Sequence, residues 1–158
     1  MATAMTIDSI HSKAIPDLIS KLLKKRQDVL VLLNRLATTK PEMSLQEIDP
    51  LLRHFCQMLV DYVALGHFEV YQCFEEIHSD TSRCKKIKKL ACQLYPRIAE
   101  TTHQTIAFND HYDTPQLSLD SFREDLSVLG EQLATRIELE DRLIAAVNQQ
   151  KSEGVELH

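Results

Sequence analysis

Chain breakers are scarce: 158 residues contain only three glycines and five prolines, and tryptophan is absent. So few breakers argue against a turn-rich β fold and favour long helices. No apolar run approaches the roughly 20 residues that a membrane span requires, so no membrane association is expected. The stretch MATAMTIDSIHSKA lacks a charged start followed by an apolar core, so no signal peptide is expected. The four cysteines, Cys56, Cys73, Cys84 and Cys92, show no C-x-x-C spacing. Free thiols in a reducing cytosol are the plain reading, and a cytoplasmic location follows from it. A basic stripe is also missing. Lys plus Arg number 18 against 23 Asp plus Glu, a formal charge of -5, so direct nucleic-acid binding is not expected. The runs KLLKKRQ and RCKKIKKL come nearest, and both read as solvated helix faces. A net acidic chain is better suited to a basic protein partner.

Helical periodicity fills most of the remaining chain. The length fits one domain over 1–158, folded from about 15 to 150 with frayed tails. Helix A is expected from about Ile15 to Ala37, with Pro16 in its first turn and a stripe of Ile15, Ile19, Leu22, Val29, Leu33 and Leu36. Ser44 and Glu47 fit a capping box that opens helix B, whose stripe is Leu52, Phe55, Leu59, Tyr62, Gly66, Val70, Phe74 and Ile77. Helix C, from about Cys84 to Tyr112, carries Ile87, Leu90, Leu94, Ile98, Thr101, Thr105 and Tyr112, with a kink expected near Pro96. Thr114 and Pro115 resemble the start of helix D, whose stripe is Phe122, Leu126, Leu129, Leu133, Ile137, Glu140, Ile144 and Val147. Four such helices joined by short loops predict an all-α fold, an antiparallel up-down-up-down four-helix bundle.

Arg26 and Glu140 interrupt the apolar stripes of helices A and D. A buried charge needs a partner, so both are expected in a buried polar network that fixes the bundle's register. The alternative is a metal or small-ligand site around Glu140 and His67. Glu75-x-x-His78 and Glu100-x-x-His103 match the E-x-x-H motif of di-iron bundles. In an antiparallel hairpin these half-sites would stand about 21 Å apart, too far to hold one metal pair. None of the seven histidines has an acid four positions on, which also removes a hemerythrin-like site. No nucleophile elbow, glycine-rich loop or Walker-type motif is present, so neither catalysis, cofactor nor metal is expected.

The outer face of helix B is more informative. A step of about 100° per residue centres its core stripe on Leu59, Gly66 and Val70. Asp61, Phe68 and Glu75 then point the opposite way, with Ala64 and Tyr71 near that face and Leu65 flanking it. An outward Phe between acids is a candidate interaction patch. His67 falls on the flank, where it would join the polar network by bonding a neighbouring helix. Gly66 lies on the core side, where its missing side chain lets another helix approach.

At these residues the sequence resembles the Rsd/AlgQ family, regulators of sigma D and bacterial anti-sigma proteins. FCQMLVDYVALGHFEVY resembles the family's central helix. YPRI (Tyr95 to Ile98), FNDHYD (Phe108 to Asp113) and LGEQLATRIELEDRLI (Leu129 to Ile144) are similar to its later signatures. The resemblance spans roughly residues 15 to 147. Where the family typically shows Asp-Arg-Trp-Leu, this chain reads Ser20-Lys21-Leu22-Leu23, whereas Arg26 matches an arginine of that helix. The resemblance implies a helical bundle that binds the primary sigma factor of RNA polymerase, chiefly its carboxy-terminal region 4, a basic helix-turn-helix module. It implies stoichiometric sequestration, with Asp61 paired to a basic sigma residue, Phe68 packed into the partner, and Tyr71 and Glu75 extending the patch. Other regulatory proteins are possible further partners of the same surface.

Overall fold

The computed structural model describes the backbone of residues 2–71, 81–113 and 118–156, and the side chains of 15–71, 81–113 and 118–148. Four long helices account for nearly all of it: α1 (Ala2–Ala37), α2 (Leu45–Leu65), α3 (Ser82–Tyr112) and α4 (Phe122–Glu156). A five-residue π turn, Gly66–Val70, continues α2. The fold is all-α, with no strand among the described residues.

Side-chain spacing explains the packing. The buried residues of α3 are Ile87, Ala91, Leu94, Ile98, Thr101, Thr105, Phe108 and Tyr112, steps of four and three in strict alternation. That spacing keeps one seam facing a neighbouring helix along the whole length of α3. Its seam packs on α4 and α2, while α1 packs on α2, the π turn and α4. Leu22, Leu52, Leu59, Leu133 and Leu143 are essentially inaccessible between them. Burying each such side chain stabilises by about 1.5–3 kcal/mol.

Helix ends are held by local chemistry. Ser44, in extended backbone, accepts the Glu47 N–H on its hydroxyl at 3.3 Å and so caps α2. Thr81 does the same for Cys84 at the start of α3. At the carboxy end of α1, Arg123 of α4 donates to the Thr39 carbonyl at 2.6 Å, placing a cation against the negative end of the helix dipole.

Several boundaries differ from the sequence-based expectation. α1 begins at Ala2 rather than near Ile15, so Pro16 lies inside the helix, and a helix interior tolerates a missing N–H only at a cost. α3 runs as one helix through Pro96. α4 begins at Phe122, and Thr114 and Pro115 lie outside the described residues. Its buried seam passes through Leu133, Arg136, Leu139, Glu140 and Leu143, while Ile137 and Ile144 are only half-buried. The seam therefore carries two adjacent charged residues where the expected stripe had one.

Candidate functional site

The charged pair on α4 organises the centre of the molecule. Arg136 and Glu140 are one helical turn apart, 0 % and 1 % exposed, with Arg136 Nε donating to Glu140 Oε2 at 3.2 Å. The Arg136 guanidinium also donates to Thr102 Oγ1 at 2.8 Å, Thr101 Oγ1 at 3.3 Å and the Tyr71 hydroxyl at 3.2 Å. Its Cζ lies over the Tyr62 ring, 5.3 Å from the centroid. Glu140 receives the Tyr62 hydroxyl on Oε1 and the Tyr71 hydroxyl on Oε2, the latter at 2.8 Å. Arg26 of α1 approaches Glu140 to 3.6 Å and pairs with Asp141 at 2.8 Å. Two guanidinium groups thus balance two carboxylates, and among the described residues no buried side-chain polar atom lacks a partner.

Electrostatics follows from this enclosure. Burial drives the Tyr62 and Tyr71 hydroxyls far above the usual tyrosine range, and the neighbouring Glu140 charge pushes the same way. Burial alone would lower the Arg136 value, but Tyr71, Glu140 and Tyr62 overcome it and hold the guanidinium above its ordinary range. Cys56 is buried, and the loss of water pushes its thiol up to about 11, with Asp113 adding to the shift. A thiol held protonated is a poor nucleophile.

The π turn joins this interior to the surface. A π turn holds one residue more per turn than an α turn, so every later residue is rotated back by about 100°. A straight α2 would point Tyr71 about 140° from Gly66. After the π turn Tyr71 instead folds inward over Gly66, is 7 % exposed, and bonds Glu140. Tyr71 is therefore part of the core and not of the outward face, which corrects the helical projection. Its own carbonyl accepts the Tyr95 hydroxyl at 2.6 Å. Gly66 makes this fold-back possible. A Cβ there would stand 3.0 Å from both Arg136 Nη2 and the Tyr71 hydroxyl oxygen.

The middle of the same turn faces outward. His67, Phe68 and Glu69 are exposed, Phe68 at 63 %. The His67 and Phe68 rings meet edge to face with centroids 4.8 Å apart. His67 is thus a surface companion of Phe68 and not a member of the buried network. Asp61, Ala64 and Leu65, on the last turns of α2 before the π turn, are half-buried, and Leu65 packs on the core. Glu75 lies outside the described residues.

Sequence reasoning singled out Arg26 and Glu140 but missed Arg136, Tyr62 and Tyr71 as their partners. The available signal was the pair of leucines at 139 and 143, which put residues 136 and 140 on the inward face. As for metal, no group of three or more potential ligands is assembled among the described residues. Glu100 and His103 are both exposed on α3, and the Glu75–His78 motif lies outside the described residues.

An all-helical protein that seals an ionic layer in its core beneath one protruding aromatic turn belongs with the helical bundles. Residues 6–148 match the family described as regulator of RNA polymerase sigma(70) subunit, Rsd/AlgQ. The "Regulator of sigma D" of Pectobacterium carotovorum subsp. carotovorum (strain PC1) is 31 % identical over 135 residues, covering 82 % of this chain and 87 % of that protein. The "Regulator of sigma D" of Yersinia enterocolitica serotype O:8 / biotype 1B (strain NCTC 13174 / 8081) is 33 % identical over 135 residues, covering 81 % and 78 % respectively. The chain belongs to the Rsd/AlgQ family of sigma-factor regulators.

Proposed function

We propose that this protein is a cytoplasmic anti-sigma regulator that binds the primary sigma factor of RNA polymerase, chiefly through region 4. Covering that basic module would block both its promoter contacts and its docking on core polymerase, by stoichiometric sequestration without catalysis or cofactor. The observation that carries the surface assignment is Phe68, 63 % exposed on a turn whose neighbours Gly66, Val70 and Tyr71 are all buried. A protruding aromatic on a rigid base loses little entropy on docking, which is how interface hot spots arise. Asp61 supplies a negative charge beside it, with Ala64 and Leu65 forming the apolar margin. Tyr71 acts from beneath by fixing the turn. No helix among the described residues is long and apolar enough to cross a membrane, which fits a protein working beside polymerase.

We also infer that the helices run antiparallel, up-down-up-down. Paired contacts support it: Arg26 with Asp141 and Thr39 with Arg123, Arg53 with Asp113 and Tyr71 with Tyr95, Thr101 with Arg136 and Tyr112 with Asp125. In each set the residue number rises on one helix as it falls on the other. The metal or small-ligand alternative gains no support, because both Glu140 oxygens are already engaged and His67 stands apart from them.

Binding of region 4 to the immobilised full-length chain tests the proposal. The Asp61→Ala, Phe68→Ala double variant should bind at least about thirtyfold more weakly, the loss of one hot spot, with unchanged far-UV circular dichroism. Wild-type affinity in that variant would remove this face from the interface. No binding by the wild-type chain would remove region 4 as the target.

A further inference from the structure

The two basic runs of the chain have different fates. On α1, Lys24 pairs with Asp28 at 2.8 Å, and Arg26 is consumed by Asp141 and Glu140. On α3, Lys85, Lys86, Lys88 and Lys89 form no ion pair within the described residues, in a chain that carries 23 acids. A helical step of 100° sets these four lysines within an arc of about 160°, centred opposite the buried Ile87. The first two turns of α3 therefore present an outward face made of ammonium groups.

This placement opposes the stability of the helix that carries it. The amino end of a helix dipole is positive and favours acids, and each like-charge pair at i,i+3 or i,i+4 is repulsive. α2 follows that preference with Glu47 in its first turn and α4 with Glu124 and Asp125, whereas α1 has no acid in its first turn. α3 has no acid in its first turn, and Lys85–Lys88, Lys85–Lys89 and Lys86–Lys89 all repel. A local rule broken without a compensating contact marks a functional surface.

We propose that the lysine face of α3 docks a short acidic segment of a protein partner, separately from the Phe68 face. The four lysines cover about 6 Å of helix axis, which matches a run of a few acidic residues rather than a duplex. Nucleic acid fits less well. Among the described residues no exposed aromatic side chain stands on this face for base stacking, since Tyr95 is half-buried with its hydroxyl on the Tyr71 carbonyl.

The test uses the full chain and a fluorescein-labelled octaglutamate peptide, read by anisotropy at 50 and 200 mM salt. Binding should weaken with salt, and Lys85→Gln, Lys86→Gln, Lys88→Gln, Lys89→Gln combined should reduce affinity at least tenfold. The same variant should melt at an equal or higher temperature, by up to about 4 °C, because dipole and like-charge repulsions are relieved. Lys21→Gln, Lys24→Gln, Lys25→Gln on α1 should leave binding within about twofold. The proposal is overturned by absent peptide binding in the wild-type chain, by an α3 variant that binds normally or melts lower, or by an α1 variant that loses binding equally. Tighter binding of a single-stranded oligonucleotide of matched charge would also overturn it, in favour of nucleic acid.

Discussion

Two layers of the same helices solve the packing problem by opposite means. Toward one end, Phe55, Phe108, Tyr112 and Phe122 pack as an aromatic layer. Phe55 meets Phe108 edge to face at 6.1 Å, and Tyr112 meets Phe122 at 5.4 Å. In the middle, Tyr62, Tyr71, Arg136, Glu140 and the rim residue Arg26 form an ionic layer in which every buried side-chain polar atom among the described residues has a partner. Contacts in the aromatic layer are many, weak and replaceable. Those in the ionic layer are few, directional and interdependent, so losing one member strands the others.

The largest effect should therefore come from breaking the ionic layer. Glu140→Ala leaves Arg136 buried without a carboxylate and removes the acceptor of both tyrosine hydroxyls. It should cost about 3–5 kcal/mol in urea unfolding, against about 1–2 kcal/mol for Phe55→Leu in the aromatic layer. Adding Arg136→Ala to Glu140→Ala should cost less than the sum of the two single changes, because the stranded charge is gone. Additive costs would show that the layer is not a unit.

An intermediate effect is expected at high pH. Tyr62, Tyr71 and Tyr112 all ionise later in the folded chain than the usual value of about 10, through burial first and then the nearby carboxylate. Because the folded values are raised, their contribution is complete below about pH 10 and is lost as pH rises beyond it. Each should add about 1.4 kcal/mol of lost stability per pH unit above that point. The Cys56 thiol, raised to about 11 by burial, adds a like slope from about pH 9 that all these variants share. Two of the three tyrosines belong to the ionic layer, so Tyr62→Phe with Tyr71→Phe should remove about twice as much of the slope above pH 10 as Tyr112→Phe. Equal slopes in both variants, measured by urea unfolding between pH 9 and 11.5, would erase the distinction between the layers.

The contrast also explains what could be read from the sequence. The aromatic layer was legible because Phe55, Tyr112 and Phe122 sit at helical spacing and are apolar. Ser44 was legible as a cap because its chemistry is local. Arg26 and Glu140 were visible as interruptions of a stripe. Arg136 was not, because an arginine beside Ile137 reads as a surface residue until Leu139 and Leu143 are given the seam. The inward turn of Tyr71 was hidden for a different reason. It follows from one extra residue in the π turn, a register change that no hydrophobic period announces and that rotates the residues beyond the turn. His67 lies within the turn, one step from Gly66, and its flank position did not decide between network and surface. Phe68 kept its expected direction because it lies within the turn rather than beyond it.

Gly66 is where the two descriptions of this segment can be separated with the smallest perturbation. In an exposed helix interior, Gly→Ala gains about 1 kcal/mol from helix propensity. Here the new methyl would stand 3.0 Å from the ends of Arg136 and Tyr71. The far end of a flexible side chain could ordinarily give way. Arg136 cannot swing freely, since Thr101, Thr102 and Glu140 hold its other nitrogens, and Tyr71 is fixed through its hydroxyl and its carbonyl. The propensity gain and the displacement oppose each other, and the displacement should win by about 1 kcal/mol, since at least one charge-assisted hydrogen bond must lengthen. The turn that carries Phe68 rests on Tyr71, so the same methyl should weaken sigma-factor binding although residue 66 is buried. A Gly66→Ala chain that gains stability and binds normally would mean that the segment behaves as plain α-helix, with Phe68 held independently of the charges beneath it.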